Sequence, residues 1–194
     1  MLIAIEGLDQ SGKETQARHL RARIEADGRK VHGLSFPDYD TPIGREIRKA
    51  LDGEREFGAE IMQLLNVANR FEFKPRLDLW LASGAVVVCD RYRASSVAYG
   101  EALGLDAVWL AELQKYLPPP ALTIFLDIAP ETAVQRKAVD RDRYERDLAM
   151  QGRVRESYRR QASEQNWIVL DGERDKAAIA ADVFSAVATR LELR

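Results

Sequence analysis

Ten residues near the start of the chain, EGLDQSGKET (Glu6–Thr15), carry the side-chain types and spacing that phosphate chemistry needs. Gly7 and Gly12 let a backbone curl until its N–H groups point inward, and Lys13 adds a full positive charge. A helix beginning near Lys13 contributes the partial positive charge of its N-terminus. This is the G-x-x-x-x-G-K pattern of a nucleotide phosphate loop, made of Gly7, Leu8, Asp9, Gln10, Ser11, Gly12, Lys13, Glu14 and Thr15. A hydroxyl ordinarily follows the lysine, but here Glu14 follows and the hydroxyl comes at Thr15. Glu14 reads as a first-turn acid pointing outward, with Thr15 in reach of an α-phosphate. Mg²⁺ is left to other acids and to water, which it tolerates well.

Other constellations lie downstream. VVVCDRY places Asp90 and Arg91 at the end of an apolar run. There the carboxylate can hold Mg²⁺, directly or through water, and the guanidinium can grip a phosphate with two bonds. The plain alternative is a surface Asp–Arg pair. FPDYDTPIG carries Phe36 and Tyr39, NVANRFE carries Asn66, Asn69 and Arg70, and ASSVAYG carries Ser95, Ser96 and Tyr99. Each of these also admits a bland reading, as core aromatic or solvated helix face. Residues 136–160 hold nine basic and five acidic side chains, and their first part lacks apolar periodicity. Arginines on such a segment would supply the charge that phosphoryl transfer needs. His19, His32 and the tryptophans show no partner pattern and read as structural.

Something must position these groups. Five β-branched-rich runs read as strands: 2–6, 30–36, 85–89, 122–128 and 167–171. Several are apolar at successive positions, as in strands buried on both faces. Helical patterns lie between them at 13–27, 59–73, 106–117 and 175–192. Pro75 is expected to end or kink the second, with helix resuming over 76–83, and Asp175 is expected to cap the last. Strands alternating with helices predict right-handed βαβ units, a mainly parallel sheet, and ligands outside the carboxyl ends of its strands.

The chain of 194 residues fits one domain, 1–194. A net charge of −2 argues against a general nucleic-acid or membrane coat. The single cysteine, Cys89, excludes an internal disulfide and a cysteine zinc site, and its apolar setting reads as core. No apolar run approaches the roughly 20 residues of a membrane span. No signal peptide is visible, so a cytoplasmic location is expected.

Taken in order, IAIEGLDQSGK, FPDY…IG, ANR, DRYRAS…AY and RDRYERD resemble the bacterial thymidylate kinases from Met1 to about Tyr158. The resemblance implies an α/β three-layer P-loop NTPase fold with a five-stranded parallel sheet and a short lid at about 136–147. It implies the reaction ATP + dTMP → ADP + dTDP with Mg²⁺, in a homodimer. The 7–15 loop and Lys13 would hold ATP phosphates, and Arg136 would lie near the adenine. Asp9 would sit between the substrates, near sugar and metal. Asp90 would place Mg²⁺, with Glu145 a further metal ligand from the lid. Arg91 would bind the monophosphate. Arg70, Ser95 and Ser96 would read the base, Tyr99 would lie against the sugar, and Phe36 and Tyr39 would line the acceptor pocket.

Three positions depart from the family pattern. Glu14 replaces the loop hydroxyl. Gln10 stands where some members carry a catalytic arginine, so that role passes to Arg141 or Arg143. Asn66 stands where a phenylalanine usually stacks on thymine, leaving Phe71 or Tyr99 to take over part of the stacking. A kinase for another deoxynucleoside monophosphate and a non-catalytic nucleotide switch are the alternatives.

Overall fold

The computed structural model describes residues 1–136, 144 and 147–191. Five strands, β1 (Leu2–Gly7), β2 (Val31–Ser35), β3 (Val86–Asp90), β4 (Leu122–Asp127) and β5 (Ile168–Asp171), form one parallel sheet in the order β2-β3-β1-β4-β5. The first strand in sequence is therefore central, and the phosphate loop leaves from the middle of the sheet's carboxyl edge.

Alternation along the strands separates two cores. Ile3, Ile5, Val86, Val88, Ile124 and Leu126 face α1 (Lys13–Ala26) and α8 (Lys176–Leu191). Leu2, Ala4, Val87 and Cys89 face the other way, packing with Phe36, Leu77 and Tyr92. On that side lie α3 (Ala59–Ala82), α4 (Arg93–Ala102), α5 (Ala107–Glu112) and α7 (Leu148–Glu164). Burial of successive residues on both faces is why these strands read as unbroken apolar runs.

The helix patterns survive with two corrections, one being that the 106–117 pattern is helical only over the six residues of α5 and then turns. Helix α3 is a single element of 24 residues that runs through Pro75, so the proline does not end it. Leu77, wholly buried, and Trp80 pack its second half into the core beside Phe36, and that burial offsets the lost backbone hydrogen bond. Asp175 caps α8, its Oδ1 accepting from the N–H groups of Ala177 and Ala178 at 2.9 and 3.2 Å. Helices α2 (Pro42–Leu51) and α4 have no counterpart in the periodicity reading. The basic segment divides. Its second half is α7, whose Arg155 and Arg159 pair with Asp127 at 2.6 and 2.8 Å and whose Arg160 pairs with Glu101 at 2.5 Å. These arginines fasten the helix to β4 and α4. Arg141, Arg143 and Glu145 lie outside the described residues.

Candidate active site

The loop after β1 curls as its glycines allow. Gly12 sits at φ 94°, left-handed, just ahead of α1. A side chain at Gly7 would stand 2.6 Å from the Leu126 carbonyl oxygen on β4, so only glycine fits between these strands. Gln10, at φ 63°, and Arg91, at φ 62°, are left-handed without being glycine. Backbone strain of this kind collects where a site demands it. Glu14 is exposed in the first turn of α1, as read from the sequence.

Lys13 is buried, and its Nζ donates to the Leu8 carbonyl at 2.6 Å. Burial, reinforced by the Arg91 charge, pushes its pKa down to about 8, although Asp90, Asp9 and Glu6 pull the other way. Asp90, at the end of β3, has one carboxylate oxygen, Oδ1, that is buried and without a partner. Desolvation raises its pKa, with Lys13 and Arg91 opposing. An orphan carboxylate oxygen beside a phosphate loop is the donor that a hard cation takes.

Arg91 reaches back across the end of β1. Its Nη2 donates to Asp9 Oδ1 at 2.6 Å and to the Tyr99 hydroxyl at 3.1 Å. Its Nη1 meets the Gly7 carbonyl at 3.0 Å, the Tyr158 hydroxyl at 3.1 Å and Ser95 Oγ at 3.3 Å. Tyr99 donates to Asp9 Oδ2 at 2.9 Å. Burial alone would raise the Asp9 pKa, but the Arg91 and Lys13 charges hold it well below the usual carboxylate range. Both oxygens of Asp9 are thus engaged. As a metal donor it is less available than Asp90, and no cluster of three or more His, Cys, Asp or Glu that could hold a metal exists among the described residues.

Arg70, 2% exposed on α3, donates through Nη1 to Ser96 Oγ at 2.7 Å and to Gln114 Oε1 at 3.3 Å, while its buried Nε has no partner. The two serines therefore part company. Ser96 stands with Arg70 and Ser95 with Arg91, because neighbours on a helix point about 100° apart. Asn66 turns its amide onto its own helix, donating to the Met62 carbonyl at 2.9 Å. Phe71 packs in the β3 core, whereas Tyr99 is in the cleft and Phe36 lies 5.8 Å from the Arg70 guanidinium.

Two clefts open here. One, of about 590 Å³, is lined by Asp9, Phe36, Tyr39, Asn66, Arg70, Arg91, Ser95, Ser96 and Tyr99, together with Gln63 and Tyr144 among others. It gathers the residues that the sequence pointed to for the acceptor, apart from Phe71, which packs in the core. The other, of about 1480 Å³, runs along the phosphate loop past Asp90 to Arg136 and Lys176. Arg136 spans the loop, bonding the carbonyls of Gln10 at 3.1 Å and Gly172 at 2.9 Å. Asp9, Phe36, Pro37, Tyr39 and Arg91 belong to both clefts, so the two meet there.

Behind this surface, Asn69, for which a solvated helix face is one reading of the sequence, proves to be a buried loop anchor, and sequence reasoning missed Gln114 and Tyr158. Asn69, wholly buried, holds the Asp38–Thr41 loop by accepting from the Asp38 N–H at 2.8 Å and donating to Thr41 Oγ1 at 2.8 Å. Gln114 and Tyr158 carry no motif. Glu6 did carry a signal, since an acid inside a buried strand must find partners.

A family model described as "Thymidylate kinase" matches residues 5–183. The thymidylate kinase of Plasmodium falciparum is 35% identical over 186 residues, covering 95% of this chain and 88% of that protein. The human thymidylate kinase is 31% identical over 185 residues, covering 94% and 87%. The probable thymidylate kinase 1 of Saccharolobus solfataricus is 30% identical over 190 residues, covering 98% of each. Among solved structures, the thymidylate kinase of Candida albicans superimposes with a TM-score of 0.82 at 27% identity, covering 97% of this chain and 91% of that one.

Proposed function

The chain belongs to the thymidylate kinase family, and from that premise we propose how its two clefts divide the work of moving a phosphoryl group from ATP to dTMP. The observation that carries this reading is the pair of clefts meeting at Asp9 and Arg91. A nucleotide switch needs only the first cleft. A phosphotransferase needs the second, so that the acceptor oxygen and the γ-phosphorus meet with water excluded.

ATP phosphates lie on the loop N–H groups, with Lys13 turning from the Leu8 carbonyl to the β- and γ-phosphates. A dTMP phosphate oxygen attacks the γ-phosphorus and the bond to the ADP oxygen breaks, giving dTDP. Arg91 neutralises the acceptor phosphate, which otherwise repels the donor. The unpartnered Oδ1 of Asp90 fits a hard cation, so Asp90 would hold Mg²⁺, directly or through water, and the ion would offset charge on the β- and γ-phosphates. The catalytic arginine on this reading comes from the lid segment, Arg141 or Arg143. A cytoplasmic location is part of the same proposal; among the described residues no helix is long and apolar enough to cross a membrane.

ADP release should require dTMP, with dTMP beating dUMP, dCMP, dGMP and dAMP in kcat/KM. A purine or cytosine nucleotide ahead of dTMP would defeat the thymidylate reading and leave a broader monophosphate kinase. Arg70 and Ser96 are the base readers. Unpaired buried polar groups penalise a wrong base heavily. Losing an aromatic stack at position 66 is worth roughly 0.5–1.5 kcal/mol, or about tenfold at most. Asn66→Phe is therefore expected to lower the KM for dTMP by up to about tenfold without altering the order of bases. An unchanged KM would mean that the position does not face the base.

A second copy of the chain is the partner we propose for α3. Ile61 and Leu64 are 46% and 40% exposed one turn apart, and Leu79, further along, is 71% exposed. Light scattering should give twice the chain mass, and Leu64→Glu should give a monomer. A monomeric parent protein would end the homodimer reading.

A further inference from the structure

We propose that Glu6 is a positioning residue for the acceptor-phosphate clamp. It would act on Arg91 by fixing the direction of two hydroxyl groups, Ser95 and Tyr158. This rests on the reading of Arg91 as the group that grips the dTMP phosphate.

Glu6 is wholly buried on β1, one residue before the phosphate loop. Its Oε1 accepts from the Tyr92 N–H at 2.8 Å, which ties it to the turn that carries Arg91. Its Oε2 accepts from Ser95 Oγ at 2.7 Å and from the Tyr158 hydroxyl at 3.2 Å, and these two hydroxyls lie 2.7 Å apart. Both hydroxyl oxygens in turn accept from Arg91 Nη1, at 3.3 and 3.1 Å. The order is carboxylate, hydroxyls, guanidinium.

Direction is the point of this arrangement. A carboxylate only accepts, so Ser95 offers its proton to Glu6, Tyr158 directs its single proton toward Glu6 Oε2 and Ser95 Oγ, and both oxygens keep lone pairs for Arg91. Tyr158 cannot ionise instead, since burial pushes its pKa far above the usual phenol value, with the Glu6 charge adding to the effect. A carboxamide at position 6 would present N–H donors to the same hydroxyls. They would reverse, aiming O–H bonds at a cation. The guanidinium would lose two acceptors on its Nη1 side and be held only by the Gly7 carbonyl, Asp9 and Tyr99, so its orientation toward the acceptor phosphate would no longer be fixed. Lys13 feels Glu6 only through space, so the donor site should be little affected.

The test measures dissociation constants for dTMP, thymidine and ATP in the full-length protein. Charge-assisted hydrogen bonds are the strong ones, so Glu6→Gln should weaken dTMP by about ten- to a hundredfold. Thymidine, which lacks the phosphate, should change by less than about twofold, and ATP by less than about threefold. Tyr158→Phe keeps the Glu6 charge and removes one of the two bridges, so it should weaken dTMP by several fold, again sparing thymidine. The double variant should lose little more than Glu6→Gln alone, because both act on one network. A merely structural Glu6 would lower the melting temperature and leave all three constants of the folded protein unchanged. That outcome, or equal weakening of dTMP and thymidine, overturns the proposal. If Glu6→Gln does not fold, Tyr158→Phe decides alone, and unchanged dTMP binding there overturns it. Arg91→Lys separates the premise from the inference. Normal dTMP binding in that variant sinks the clamp reading itself, while weakened binding there beside normal binding in Glu6→Gln sinks only the role of Glu6.

Discussion

Lys13→Ala is expected to cut kcat by about a hundredfold to a thousandfold, the usual cost of removing one preorganised donor from a charged transition state. The fold should stand. Among the described residues the Lys13 side chain makes a single hydrogen bond, to Leu8, and burying its charge opposes folding. A folded variant with near-normal turnover would exclude this loop as the ATP site. The same group gives a pH signature. Because burial holds Lys13 near pKa 8 in the free protein, kcat/KM for ATP should fall as pH rises through about 8, approaching tenfold per pH unit. Bound phosphates restore the charge, so the limb in kcat should lie at higher pH. Stability runs the opposite way. The unfolded chain binds the lysine proton more tightly, so this group's penalty on folding is full below about pH 8 and is relieved as pH climbs toward 10.5. An ATP limb that persists unchanged in Lys13→Arg would assign it to another group.

Much of this was legible in the sequence, for identifiable reasons. Buried parallel strands announce themselves because both faces need apolar residues, and all five runs became strands within a residue or two of their expected ends. The phosphate loop was legible because its backbone requires glycine. The residues that order and spacing marked for an acceptor come together in one cleft, from the loop after β1, the loop after β2, α3, the turn after β3 and α4.

What stayed hidden depends on partners distant in sequence. Helix α4 is rich in Ser, Ala and Gly, weak helix signals apart from alanine, and it exists because Ala94, Ala98 and Ala102 pack against Phe125 and α7. Helix α3 passes Pro75 because tertiary burial outweighs a local penalty. The split between Ser95 and Ser96 appears only when the helix is placed between Arg70 on one side and Arg91 on the other. Tyr158, 63 residues beyond Ser95, has no local signal at all.

The sharpest separation of roles should come from the neighbours Asp90 and Arg91. Arg91→Ala removes a guanidinium that holds Asp9, Tyr99, Ser95 and Tyr158 together and leaves the Asp9 carboxylate with Tyr99 alone. Truncating one partner of a buried charge pair across a binding interface, here Arg91 with the acceptor phosphate, costs about 2–5 kcal/mol, roughly 30- to 4000-fold. That loss should fall on kcat/KM for dTMP, with the KM for ATP nearly unchanged, because the acceptor phosphate has lost its counter-charge. Asp90→Asn should do the reverse. It replaces the orphan Oδ1 donor set with a weaker ligand for a hard cation, and the Mg²⁺ concentration for half-maximal rate should rise by about 10- to 100-fold. Binding of dTMP in the absence of metal should be unchanged, because the cleft that gathers the acceptor residues does not include Asp90. Titrating Mg²⁺ at fixed substrate and dTMP at fixed Mg²⁺ in both variants gives four numbers. If the two substitutions shift both titrations alike, the division between metal and acceptor phosphate fails, and the pair acts as one structural hinge at the end of β3.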